Sequence, residues 1–201
     1  MLTAGDAEGG NPAVEAGVVS CVLTPELTEG PYYIAGEKVR RDITEGKPGT
    51  RLMLHLVVVN VATCKPVKGA AVDVWHADAA GDYSGFSDDT SSRTYMRGVQ
   101  KTDANGLAIF KTIYPGWYPG RTVHIHVKVN MGGKVVHTGQ LLFNDSITDK
   151  VFAAAPYKAR GPRTTRNAQD SIFVNGGRRG MVAVRKSGTG YVGSIAMGVR
   201  R

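Results

Sequence analysis

From residue 51 onward the chain is paced by short aliphatic runs separated by glycine and proline turns, and this cadence limits its folds more than any other feature. Residues 52–61, LMLHLVVVNV, read as a strand ending in the turn ATCKPVKG, and 70–76, AAVDVWH, as a second. The turn signal DANG (103–106) leads into the strand LAIFKTI (107–113), and MGG (131–133) reverses the chain into KVVHTGQLLF. Further strands are predicted at DSIFV (170–174), MVAVRK (181–186) and YVGSIAMGV (191–199), with one short helix at 147–154, ITDKVFAA. Many short strands with little helix predict a mainly β chain, an antiparallel β-sandwich with long loops and one or two short helices. Residues 1–20 read as a flexible leader and 21–201 as one domain, without internal repeats.

Within this pattern, VHIHVKV (123–129) sets Val123, Ile125, Val127 and Val129 on one side and His124, His126 and Lys128 on the other. Period-two alternation of β-branched residues marks a half-buried strand. Side chains two apart leave the same face roughly 6.6 Å from each other, so both imidazoles could converge on one ion. A polar, solvated strand face explains the same pattern equally well.

Charge and cysteine content narrow the classes. The formal charge of +8 favours anionic partners. The late arginines, Arg160, Arg163, Arg166, Arg178, Arg179, Arg185, Arg200 and Arg201, form no helical stripe and no platform interleaved with aromatics, so no nucleic-acid partner is expected. No apolar run approaches the ~18 residues of a membrane span, and the first twenty residues lack the basic start and apolar core of a signal peptide. Cys21 and Cys64 stand outside any C-x-x-C pattern, which disfavours a thiolate metal site. They could form a disulfide tying the N-terminal arm to the end of the first long strand, or remain two unrelated thiols of a cytosolic protein.

The strand pattern alone also fits a prealbumin-like or adhesin-type binding module, PVKGAAVDVW followed by TDANGLAIF being characteristic of such sandwiches. Four features in order weigh against that reading: Tyr83 in VWHADAAGDYSG (74–85), Tyr118 in YPGWYPG (114–120), Arg121 followed by His124 and His126, and Gln140 on the returning strand. This set resembles the intradiol ring-cleavage dioxygenases, which include the catechol 1,2- and protocatechuate 3,4-dioxygenases. The likeness runs from LTEGPYYI (27–34) through DITEGKPGTRLMLHLVVVN to NAQDSIF (167–173).

The resemblance implies a prealbumin-like sandwich binding a non-haem ferric ion through Tyr83, Tyr118, His124 and His126. Fe(III) is a hard cation that suits phenolate oxygen and imidazole nitrogen better than thiolate. It further implies a small aromatic diol and O2 as substrates, with cleavage between the hydroxyl-bearing carbons to a cis,cis-muconate, in breakdown of lignin-derived or other aromatic compounds. Tyr118 is implied as the ligand that leaves when substrate binds, Arg121 as the group stabilising charge on the ring, and Gln140 as its orienting partner. Tyr32 and Tyr33 are implied to line the mouth, whereas His76, His55 and His137 are not ligands, the latter two reading as polar strand residues. On an extended strand Arg121 points away from both histidines, so it serves the site only if the chain bends at Pro119–Gly120. Only Pro119 and Gly120 separate Tyr118 from Arg121, and no helical dimerisation arm precedes the domain; substrate choice and oligomeric state stay open, a monomer included. The compact form resembles stand-alone secreted members, which makes a Cys21–Cys64 disulfide and an extracellular location the expectation.

Overall fold

The computed structural model describes residues 21–200; the expected leader at 1–20 lies outside the described residues. Among the described residues, nine strands form two sheets. The first joins β1 (Arg51–Asn60), β2 (Lys65–Pro66), β5 (Leu107–Ile113), β8 (Ala183–Ser187) and β9 (Gly190–Val199). The second is ordered β4 (Arg97–Lys101), β3 (Ala71–Trp75), β6 (His124–Met131), β7 (Lys134–Leu142). Every ladder is antiparallel except β1 with β9, which run parallel from Leu52↔Tyr191 to Asn60↔Val199. A parallel pair needs a long crossover, and here almost the whole domain lies between the two strands.

The core follows from alternation. Leu52, Leu54, Leu56 and Val58 of β1 are fully buried, as are Val72 and Val74 of β3 and Ile125, Val127 and Val129 of β6. Each such side chain contributes about 1.5–3 kcal/mol on leaving water. On the opposite face of β1, Val57 and Val59 pack with Cys21, Leu107 and Ala196, so the N-terminal arm covers part of the outer surface. Cys21 and Cys64 are joined there by a disulfide, their Cα atoms 5.3 Å apart.

Two expectations are corrected. The helix predicted at 147–154 is α1, Asp145–Phe152, starting two residues earlier because Asn144 caps it by accepting from Ser146 N. DSIFV is no strand: Asp170 accepts from Ile172 N and Phe173 N and starts the short helix α2 (Ser171–Val174). A side chain that satisfies the first free N–H groups of a helix outweighs the strand propensity of Ile, Phe and Val. No described helix is long and apolar enough to cross a membrane.

Candidate metal centre

The face of the second sheet away from the core carries the site, and it is dry. His124, His126 and Lys128 are 3%, 1% and 6% exposed, which overturns the solvated-face reading. Alternation reports which residues share a side, not what covers that side. Here residues 26–33 lie across it as a strap. Leu27 N donates to Thr138 O, Gln140 Nε2 to Thr28 O, Lys128 pairs with Glu29, and Arg97 Nη1 donates to Tyr32 O. At Gly30, with φ +70°, a Cβ would meet His126 Cε1 at 3.1 Å, so only glycine lets the strap lie this close.

Four candidate ligands converge under the strap. His124 Nε2 lies 3.0 Å from His126 Nε2 and 3.1 Å from Tyr118 Oη. Tyr83 packs edge-on against Tyr118 and His126, its buried hydroxyl without a hydrogen bond of acceptable geometry. His124 Nδ1 donates to Thr122 O at 2.6 Å, which fixes the bare lone pair on Nε2. His126 is stacked on Trp75, centroids 5.0 Å apart and the ring planes nearly parallel. Burial, reinforced by Arg121, pushes His124 down to about 3; burial and then His124 push His126 well below its ordinary value. Both imidazoles are therefore neutral donors.

Burial raises both phenols, Tyr83 well above its ordinary value with Tyr118 adding to the effect. A cation bound at this point reverses that logic by taking the phenolate. The bare His124 Nε2 faces His126 Nε2 at 3.0 Å, an arrangement that needs a proton or a cation between the two nitrogens, and the buried Tyr83 oxygen makes no hydrogen bond of acceptable geometry. The donor set suits a hard trivalent cation. Among the described residues no cluster of three or more His, Cys, Asp or Glu offers another metal site.

Arg121 reaches this face because the chain does bend. Gly120 has φ +85°, and β6 begins only at His124. Its Nη2 donates to Gln140 Oε1 at 2.5 Å, and its Nε to Asp170 Oδ2 at 2.9 Å. Gln140 faces His126 across the β6–β7 ladder. Tyr32 stacks on Tyr83 at 4.2 Å and lines the opening. Tyr33, expected beside it, instead packs on Trp75 with Lys128 Nζ 3.4 Å from its ring centroid, because the turn at residues 31–32 sends consecutive side chains apart. His76 bonds Thr112 and Ala77 O and points away from the ligand set. His137, expected as a polar strand residue, is buried against Glu26.

Sequence reasoning missed the supports. Asp170, 1% exposed, takes Thr122 N as well as Arg121; Asn167 accepts from Thr122 Oγ1 and donates to Phe143 O. Thr122 in turn holds His124. Arg97, also 1% exposed, donates to Ser84 O and Oγ and so anchors the loop carrying Tyr83. The segment NAQDSIF belongs to the resemblance, but nothing local in it tells a polar cap from a support 48 residues away.

The fold and the site thus define a β-sandwich with a buried pair of tyrosines and histidines closed by an N-terminal strap. A family model described as a dioxygenase matches residues 28–167. The intradiol ring-cleavage dioxygenase from Tetranychus urticae has the same fold at TM-score 0.86 and 35% identity, covering 90% of this chain and 95% of its own. The dioxygenase domain of a dioxygenase carbohydrate-binding protein fusion from Streptomyces sp. SirexAA-E gives TM-score 0.70 at 32% identity, with 89% and 99% covered. Catechol 1,2-dioxygenase of Acinetobacter baylyi is 38% identical over 157 residues, 66% of this chain and 50% of the relative. The chain spans half or less of the length of such curated relatives. It belongs to the intradiol ring-cleavage dioxygenase family, which sets the adhesin-type reading aside.

Proposed function

We propose that the protein is a non-haem Fe(III) enzyme that cleaves catechol-type diols with O2 between the two hydroxyl-bearing carbons. Tyr83, Tyr118, His124 and His126 would hold the iron. The observation that carries this reading is the convergence of His124 Nε2 on His126 Nε2 at 3.0 Å and on Tyr118 Oη at 3.1 Å, with the buried Tyr83 hydroxyl, which makes no hydrogen bond of acceptable geometry, beside them. When bound, the ferric ion supplies Lewis acidity that draws electron density from the chelated ring and makes it reactive toward O2.

The chain's own residues do the rest. Tyr118 is only partly buried, beside the cleft, where its phenol oxygen would be placed to take a proton from an incoming diol. Tyr83 is held deeper by its stacking on Tyr32 and stays in place. Arg121, fixed by Gln140 and Asp170, presents a preorganised positive charge to a ring gaining electron density. The strap excludes water from the histidine side. Both atoms of O2 enter the product, so catechol and one O2 together account for every atom of cis,cis-muconic acid, and no other reductant is needed.

The disulfide supports action outside the cell, where such bonds persist; degradation of lignin-derived or other plant aromatics would suit that location. The test is metal analysis with a visible spectrum and O2 uptake. About one iron per chain, a broad tyrosinate-to-iron band and catechol-dependent O2 consumption are expected. Colourless protein after iron-supplemented expression overturns the reading.

A further inference from the structure

The family reading leaves open which diols are accepted, and the net charge of +8 points toward acidic ones. The cleft points the other way. The opening beside Tyr83 and Tyr118 has a volume of about 390 Å³, and its wall is completed by Tyr32, Gly81, Asp82, Phe86, Ser87 and Pro119. Tyr32 and Phe86 meet edge to face at 5.2 Å and give an aromatic wall for a ring. The sole charged group in that wall is the Asp82 carboxylate, which takes no hydrogen bond or ion pair from the described residues.

The neighbouring cations do not line this wall, and Arg121 faces the ring rather than its substituents. Arg97 is buried behind Tyr83 and Phe86, donates to carbonyls of Ser84 and Tyr32 and sits 3.9 Å from Glu37. Arg121 is bonded to Asp170 and Gln140. Arg160 stacks on Trp117 and packs behind Gly81, its guanidinium facing a separate cavity that it lines with Lys47, whose ammonium pairs with Asp78; it is the cation nearest the Asp82 wall and is not part of that wall. A substituent on a diol bound through this opening therefore meets aromatic edges and one free negative charge.

We propose that the cleft selects diols whose ring carries a neutral or cationic substituent and rejects those carrying a carboxylate, with Asp82 as the specificity-determining residue. This rests on the diol-cleaving reading above. Asp82 is exposed, and like charges roughly 6 Å apart in so open a cleft shift binding by roughly three- to tenfold. A substituent remote from the reacting carbons acts equally on ground and transition states, so the effect falls on KM.

The experiment compares 4-methylcatechol, 4-(2-aminoethyl)catechol and 3,4-dihydroxybenzoate on the iron-loaded protein, by O2 uptake and ultraviolet product formation. Relative to the methyl compound, kcat/KM should be roughly three- to tenfold lower for the carboxylate and equal or higher for the amine. Asp82→Asn should narrow the carboxylate-to-amine gap, and Asp82→Lys should reverse its order. Turnover of all three with equal kcat/KM, or an unchanged order in Asp82→Lys, overturns the proposal and leaves the reaction standing. If no diol is turned over the reaction itself fails; calorimetric binding of the same three compounds then reads the discrimination, and equal affinities overturn it.

Discussion

Removing the Asp170 side chain tests whether the support beneath the site is built as described. Asp170 accepts from Thr122 N at 2.8 Å, Arg121 Nε at 2.9 Å, Ile172 N at 2.8 Å and Phe173 N at 3.2 Å, almost wholly out of water. Asp170→Ala deletes the cap of α2, worth about 1 kcal/mol. It leaves the buried Thr122 N–H without an acceptor, at roughly 1–3 kcal/mol. It also strips Arg121 of its counter-charge, although Gln140 and partial exposure soften that loss. A total of about 3–5 kcal/mol matches the breaking of a buried pair from one side. With a urea slope of about 2 kcal/mol/M, the midpoint should fall by about 2 M.

The pH dependence carries its own sign. Burial alone would raise the Asp170 carboxyl, but the Thr122 N–H and the Arg121 guanidinium outweigh it and hold it below the usual carboxylate range. A carboxyl depressed in the folded state contributes stability above its unfolded value, about pH 3.9, and loses it as pH falls through the lower folded value. The gap between wild type and Asp170→Ala should be full at pH 7 and narrow as pH falls below about 4, since the ionic part is lost while a protonated carboxyl can still accept from the backbone. A penalty under about 1 kcal/mol at pH 7, or one that persists unchanged in acid, would refute the anchoring role.

Four further outcomes are expected. His124→Ala or His126→Ala should lose most of the bound iron by metal analysis, since one of four protein ligands is gone; retention of a full equivalent argues for other ligands. Arg121→Gln should keep iron and its colour shift with a catechol while kcat falls roughly 10²–10³-fold, and normal turnover would make Arg121 a structural residue only. Thiol titration of denatured, unreduced protein should find no free thiol, and reduction should cost about 4 kcal/mol by denaturant melt, because the bridged cysteines are 43 residues apart. Burial raises Asp73 to about 7, so this group's stabilising contribution is complete below about pH 4 and lost as pH rises through 7. Asp73→Asn should therefore stabilise the protein by on the order of 3–4 kcal/mol more at pH 8 than at pH 4, with an equal effect at both refuting that account.

Which parts of this design can be read from the sequence depends on the distance over which each constraint acts. Strands β1, β3, β5, β6, β7 and β9 follow within a residue or two from aliphatic runs and glycine turns, because alternation and turn chemistry are local. DSIFV fails as a strand because a single cap residue outweighs a three-residue propensity. The four candidate ligands are legible through the order in which they occur. The Asp170–Thr122–His124 support is not, since it is assembled across the sheet from a segment without a pattern of its own.

The histidine strand shows why local reading stops where it does. His124, His126 and Lys128 alternate with valines and isoleucine as a wet strand face would, and the pattern is the same whether the face meets water or protein. The strap at 26–33 decides between them, and it comes from a segment about a hundred residues earlier in which glycine is the informative residue. Gly30 permits the backbone to lie against the His126 ring, Glu29 neutralises Lys128, and Tyr32 roofs Tyr83. Covering the face lowers the histidines' affinity for protons and leaves their lone pairs free. The same burial that disfavours charge on each candidate ligand separately would let a shared cation satisfy all four at once. A substitution at Gly30 should therefore act on the metal more than on the fold. Gly30→Ala forces a Cβ to 3.1 Å from His126 Cε1 at a left-handed φ, so the strap must lift. Iron content should fall and the visible band should shift or weaken, while the urea midpoint drops by no more than about 1 M. An unchanged spectrum with full iron would show that the strap only covers the histidines and does not set their geometry.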